Sequence, residues 1–291
     1  MADVGKWNEA PRTTNSAKYL MSAVDDLFRR LRSEGRKALM PFVTAGDPDL
    51  EFTAAVLKEL AARGAHLCEL GIPYSDPIAD GPVIQASYTR ALEKKVKLGQ
   101  ILETAATVVP KLALAGNAVP VVTMVSYAII HRHGLAKYVA DAKRAGIAGA
   151  IVPDLLVEES AEFSELCRKE DFSLIQLVTP TTPRDRAKRI AERSTGFLYY
   201  VSITGITGER TQLPPDLIEN VTWMRSQTEL PICIGFGIST PEHVKLLAPA
   251  ADGLIVGSAL VRRVAAAATE PKAKVLNDVG AYVASLLAAL N

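Results

Sequence analysis

Cysteine is scarce in this chain of 291 residues, with only Cys68, Cys167 and Cys233. An odd number without zinc-ligand spacing argues against a disulfide framework and against a cysteine zinc site. Two of the three fall in apolar runs that read as core strands, so the expectation is reduced, buried thiols in a cytoplasmic protein. An excess of one charge is also missing. Lys and Arg number 33 against 32 Asp and Glu, a net +1, so nothing in the balance recruits nucleic acid or an anionic membrane. No run of about 18 apolar residues occurs, so no membrane span is expected. The polar stretch from Met1 to Leu20 lacks the apolar segment of a signal peptide. His131 and His133 flank Arg132 without a third ligand, which reads as a solvated loop and not a metal site. No linker or composition shift divides the chain. The reading is a flexible polar extension over residues 1–16, then one domain over 17–291.

What is present is an alternation. Short apolar segments at 38–43, 66–70, 119–125, 148–152, 173–178, 197–201, 231–234 and 253–256 read as strands. Amphipathic segments at 50–63, 98–113, 134–145, 158–169, 183–193, 215–228 and 241–248 separate them, and a last helix covers about 275–290. A first helix over 17–33 shows Leu20, Val24, Leu27, Phe28 and Leu31 at helical spacing. Strands this short and apolar suit a parallel sheet covered by helices. Eight such units predict an α/β fold, a (β/α)8 TIM barrel with an additional N-terminal helix. Its active site would lie where the strands end.

Glu69 and Asp80 lie 11 positions apart in the segment ELGIPYSDPIADGPVIQ. Glu69 sits near the end of the second strand, where a carboxylate is expensive to desolvate. Burial there raises its pKa toward neutrality and suits it to proton transfer. Asp80 sits on a loop stiffened by Pro73, Pro77 and Pro82, which lowers the entropy lost when the loop orders over a ligand. Taken singly, Glu69 also fits a structural ion pair, and Asp80 also fits a cap on the turn at Gly81. Asp47, before Pro48, reads as a helix cap. Of the neighbours Tyr199 and Tyr200, one is expected to face the barrel and the other the helices.

Glycine-rich turns follow the seventh and eighth strands, at Gly235-Phe236-Gly237-Ile238-Ser239 and Gly257-Ser258. The second opens a short helix. Backbone N–H groups at such turns commonly bind phosphate in barrels, and glycine allows close approach. A third turn, Gly205-Ile206-Thr207-Gly208, runs into the polar segment Glu209-Arg210-Thr211-Gln212 and reads as a mobile lid. These features predict a barrel enzyme acting on a small phosphorylated molecule, with an isomerase, epimerase or lyase all compatible.

The blocks Pro41-Phe42-Val43-Thr44-Ala45-Gly46-Asp47-Pro48, Glu69 to Pro82, Gly235 to Ser239 and Gly257-Ser258 occur in this order, and together they resemble the tryptophan synthase alpha chain family over about residues 21–264. The resemblance implies a lyase of L-tryptophan biosynthesis that cleaves indole-3-glycerol phosphate to indole and glyceraldehyde 3-phosphate by a retro-aldol step. It implies that Glu69 does the proton work and that ionised Asp80 stabilises positive charge on the indole N–H. Phe42, Met124 and Ile151 match apolar wall positions, and Tyr199 matches a pocket tyrosine. Thr207 matches a lid threonine that reaches Asp80. Gly237, Gly257 and Ser258, with Gly208, match the phosphate site, and Phe236 joins them as a substrate-contacting position. Tyr74, Asp76 and Pro77 match the loop facing a beta subunit, in an α2β2 complex that receives the indole. Pyridoxal phosphate is expected in that partner, with no cofactor in this chain.

The chain departs from the family pattern at three places. Ser126 and Ala128 replace the usual Tyr-x-Asn pair, Asp154-Leu155-Leu156 lacks the usual proline, and Ile203 stands where a polar residue is common. Two other readings stay open: a stand-alone phosphosugar isomerase or epimerase, and a non-catalytic subunit that activates a beta partner.

Overall fold

The computed structural model describes residues 22–77, 80–202, 215–235 and 237–290. The expected polar extension over 1–16, residues 17–21 of the expected first helix, and the expected lid residues 205–212 lie outside the described residues, as do Ile203, Thr207, Gly208 and Phe236; the first helix begins at Ala23, with Ser22 as its cap.

Eight strand positions run parallel around a nearly closed barrel. They are β1 Ala38–Thr44, β2 Cys68–Gly71, β3 Val121–Met124, β4 Ile147–Ile151, β5 in two pieces (Ser173–Ile175 and Leu177–Val178), β6 Leu198–Val201, β7 Ile232–Gly235 and β8 Gly253–Val256. Gln176 separates the two pieces of β5. The first piece pairs with β4 and the second with β6 (Leu177 opposite Tyr199), so β5 carries the sheet around the corner. The ring closes where Ala38 of β1 meets Gly253 of β8. Strand residues alternate between two cores. Phe42, Val122, Ile151, Ile175, Tyr199, Cys233 and Ile255 fill the barrel interior. Val43, Cys68, Leu70, Val121, Ala150, Leu174, Tyr200 and Leu254 pack outward under the helices. The period-2 geometry of a strand produces this split, and parallel strands covered by helices need both faces apolar. Tyr199 faces the interior and Tyr200 the outer layer, the split anticipated for that pair.

Helix Ala23–Ser33 closes the end of the barrel where the strands begin. Ser22 and Asp25 form a reciprocal capping box at its start. Val24, Leu27, Phe28 and Leu31 are buried, and the Phe28 ring lies 5.7 Å from that of Phe197. The final helix, Lys272–Leu290, is long and apolar enough to cross a membrane by composition alone. It packs instead on helices Leu50–Arg63 and Pro241–Leu247, burying Val275, Val279, Tyr282, Val283 and Leu286.

Several elements differ from expectation. Pro82 opens a helix, Pro82–Glu93, within a stretch read as loop. Proline at the first helical position loses no intrahelical hydrogen bond, so it starts a helix there as readily as it stiffens a loop. Tyr127–His133 is helical, capped by Ser126, whose side chain accepts from Ala128 N. The helix expected over 98–113 ends at Val108; a 3-10 turn with Pro110 and a hairpin pairing Ala113–Leu114 with Asn117–Ala118 follow. Asp47 is not a helix cap. It is 1% exposed and takes a bidentate pair from Arg90 (2.9 and 2.6 Å), while Asp49 caps helix Leu50–Arg63 by accepting from Phe52 N at 2.8 Å. The cap lies one residue before the helix, so the sequence position after Pro48 takes it.

Candidate active site

Glu69 projects from β2 into the barrel, between Phe42 of β1 and Val122 of β3 in register. It is 0% exposed, and neither carboxylate oxygen has a hydrogen-bond partner among the described residues. Leaving such a group unpaired costs several kcal/mol if it is ionised, so the group keeps its proton instead. Burial accordingly pushes the Glu69 pKa well above the ordinary glutamate value of 4.5.

Gly71 follows two residues on, so it faces the same side of β2 as Glu69. A Cβ there would lie 2.4 Å from the Phe42 ring and 2.9 Å from the Tyr88 hydroxyl. Glycine at 71 is what lets Phe42 and Tyr88 stand over Glu69. Gly235 plays the same part across the barrel, where a Cβ would lie 2.2 Å from the Tyr199 hydroxyl. Burial, with the acids Glu69 and Asp80 nearby, raises the Tyr199 phenol well above its usual range. Phe42, Met124, Ile151 and Tyr199 are all buried in the same interior cluster, so the structure brings the expected apolar wall together around the carboxylate.

Asp80 lies in the turn before helix Pro82–Glu93. Its N–H donates to Pro77 O at 3.0 Å, and the Gln85 side chain donates to Asp80 O at 2.8 Å. Gly81 caps the helix without a side-chain bond, so the Asp80 carboxylate is not spent on capping. Its Oδ2 is buried without a partner. Burial raises the Asp80 pKa to about 6, while the Tyr74 hydroxyl beside it works in the other direction. Tyr74 is half-buried, its ring 5.5 Å from that of Tyr88; Pro77 is buried, and Asp76 is exposed.

At the phosphate end, Gly237 has φ +78°, a conformation that favours glycine. Gly257 precedes helix Ser258–Ala265, and Ser258 is its first residue, both half-buried. A Cβ on Gly257 would find Phe42 Cβ nearest, at 3.9 Å, so this helix start adjoins the apolar wall. Unpaired N–H groups at a helix start favour an anion.

The replaced pair after β3 has its own structure. Ser126 Oγ donates to Asp154 Oδ2 at 2.6 Å, and Tyr127 N donates to Asp154 Oδ1 at 2.7 Å, which ties the loops after β3 and β4 together. Leu156, at the missing proline, is 51% exposed.

Tyr88 was not anticipated. Its only sequence signal is the apolar face Ile84, Tyr88, Ala91 of helix Pro82–Glu93, which was not among the helices expected. Two surface hollows lie away from all of this. One, about 570 Å³, lies between helices Leu50–Arg63 and Leu98–Val108; the other, about 370 Å³, lies by Ser22, Arg168 and Thr195. None of the buried unpaired side-chain atoms among the described residues belongs to either.

The family described as tryptophan synthase alpha chain matches residues 28–290. A tryptophan synthase alpha chain from Rhodopirellula baltica is 61% identical over 254 residues, covering 87% of this chain and 90% of the relative. One from a Thermoanaerobacter species is 45% identical, covering 91% and 98%. The solved alpha subunit from Legionella pneumophila superposes with a TM-score of 0.83 at 34% identity, over 93% of this chain and 99% of that one. A chain of tryptophan synthase from M. tuberculosis gives 0.80 at 26% identity, over 93% and 100%. On this extent and identity, the chain belongs to the tryptophan synthase alpha chain family.

Proposed function

We propose that Glu69 and Asp80 divide the proton and charge work of the family's alpha reaction, the cleavage of indole-3-glycerol phosphate to indole and glyceraldehyde 3-phosphate. The observation that carries this reading is a buried Glu69 carboxyl on β2 without a partner among the described residues and, in the turn before helix Pro82–Glu93, a half-buried Asp80 carboxyl with one unpaired oxygen, both raised above their ordinary pKa by burial. Glu69, neutral at pH 7, gives its proton to indole C3, and the ring becomes a cation. Asp80, ionised above about pH 6, faces that charge at the ring N–H. The bond from C3 to the side chain then breaks, and its electron pair returns to the ring, which leaves neutral indole. The side-chain hydroxyl becomes the aldehyde, and its proton passes to Glu69, which ends as it began. Phe42, Met124, Ile151 and Tyr199 hold the indole ring, and water is excluded by the same apolar wall.

The phosphate sits on Gly237, Gly257 and Ser258, with Gly208 and Phe236 joining from outside the described residues, as does Thr207, which would reach Asp80. Tyr74, Asp76 and Pro77 form the loop next to the beta subunit, of which exposed Asp76 is available for contact. The chain acts as a lyase subunit in tryptophan biosynthesis, in an α2β2 assembly that takes up the indole. Pyridoxal phosphate belongs to the beta subunit. Residues 17–291 form one domain, supported by the interior cluster that joins helix Ala23–Ser33 to strands at both ends of the chain. The family is one of soluble barrel enzymes, and the three free, buried cysteines support a reducing cytoplasm as its location.

The test is indole release from indole-3-glycerol phosphate by the purified chain, alone and with its beta subunit. Release that rises with the partner is the expected outcome. A folded chain that releases no indole in either condition contradicts the assignment.

A further inference from the structure

Tyr88 is 0% exposed, and its hydroxyl has no hydrogen-bond partner among the described residues. A phenol is normally buried with its O–H paired, because an unmade bond leaves the full desolvation penalty standing. Three facts locate this orphan donor. It would lie 2.9 Å from a Cβ on Gly71, on the face of β2 that carries Glu69. Its ring leans on Tyr74, which stands beside Asp80. The titratable groups near enough to act on it are Asp80, Tyr74 and Glu69. The Glu69 oxygens and Asp80 Oδ2 are unpaired too, so neither carboxylate is its partner. The barrel mouth therefore holds two acids and one donor that leave one another unbonded, beside the Phe42 ring. A ligand that completes this bonding must bring an acceptor to Tyr88. An indole ring brings none, because its only polar hydrogen-bonding group is a donor N–H. The phosphate is assigned to the turns after β7 and β8. What remains between ring and phosphate is the hydroxylated three-carbon chain.

We propose that the Tyr88 hydroxyl is a substrate-binding group that donates a hydrogen bond to a hydroxyl oxygen of the substrate's side chain, next to the bond on which Glu69 acts. This rests on the cleavage reaction proposed above. It makes Tyr88 a recognition element for the polyol chain, separate from the ring wall and the phosphate cradle. Its helix, Pro82–Glu93, begins two residues after Asp80, so one element carries both groups to the mouth.

The test is Tyr88→Phe, which keeps the ring and removes one oxygen. With the beta subunit present, kcat/KM for indole-3-glycerol phosphate should fall about 10- to 100-fold. A competing ligand that keeps the indole ring and the phosphate but joins them by a plain propyl chain should bind the wild type and Tyr88→Phe equally. Without ligand, the thermal midpoint of Tyr88→Phe should equal or exceed that of the wild type, since an unpaired buried hydroxyl is removed. Wild-type kcat/KM in Tyr88→Phe overturns the proposal. An equal loss for substrate and propyl analogue overturns it as well, since that pattern marks a packing role. Absence of indole release from the wild type overturns the reaction itself and this inference with it.

Discussion

The two ends of the barrel interior share one apolar lining and treat their polar groups in opposite ways. At the floor, where the strands begin, the groups are paired. Ser22 Oγ lies 2.8 Å from Ser173 Oγ, and His66 Nδ1 accepts from Leu39 N at 3.1 Å. Burial and the neighbouring Arg36 hold the His66 pKa down at about 4, so this buried histidine stays neutral. At the mouth, three residues further along the chain, Glu69 has no hydrogen-bond partner among the described residues. Of the seven buried unpaired side-chain atoms among the described residues, four belong to Glu69, Asp80 and Tyr88. The other three lie elsewhere, on Gln176 where β5 breaks and on Tyr200 in the outer layer. A native fold leaves few such groups, and a cluster of them marks where a ligand completes the bonding. The floor is built for stability and the mouth for chemistry.

Substitutions at each end separate the two. The largest effect is expected at the mouth. Glu69→Gln should lower kcat by about 10²- to 10⁴-fold, the usual worth of a positioned acid–base group. Its thermal midpoint at pH 7 should not fall, because no bond to Glu69 is lost. At the floor the pattern inverts. Phe28→Ala removes a buried ring packed on Phe197 and should cost about 3–5 kcal/mol in denaturant unfolding, with kcat of the folded enzyme little changed.

pH sharpens the contrast further. The folded protein holds the Asp80 proton more tightly than the unfolded chain, with a pKa of about 6 against 3.8. The stability this contributes is therefore full below about pH 4 and is lost as pH rises through about 6. Activity moves the opposite way, since the reaction needs Asp80 ionised. Asp80→Asn should abolish the acid limb of the kcat profile near pH 6, and it should be at least as stable as the wild type at pH 7. The smallest effect is expected at the rim. Ser126→Ala breaks the link to Asp154 and should lower stability by about 1 kcal/mol in the same unfolding experiment, leaving the pH profile in place.

Much of this division was legible in the sequence. The strand alternation carried the barrel, and the placing of Glu69 at a strand end carried the idea of a buried acid. Four points were hidden for physical reasons. Pro82 marks a helix start as well as a stiff loop, and only the packing of Ile84, Tyr88 and Ala91 distinguishes them. Asp47 and Asp49 look alike as caps, but Arg90, 43 positions away, claims the first. The unpaired state of Tyr88 depends on Gly71 and Phe42, which meet it from other elements, so no local pattern reveals it. Ser126 likewise reads as a lost tyrosine until Asp154 is seen to hold it.

The claim at the centre of this account is that Glu69 is protonated in the free enzyme at neutral pH. Infrared difference spectra between the wild type and Glu69→Gln at pH 7 test it directly. The account predicts a carboxylic-acid carbonyl stretch in the wild type that Glu69→Gln lacks. A carboxylate band in its place would show Glu69 ionised, and the division of labour between Glu69 and Asp80 would then be wrong.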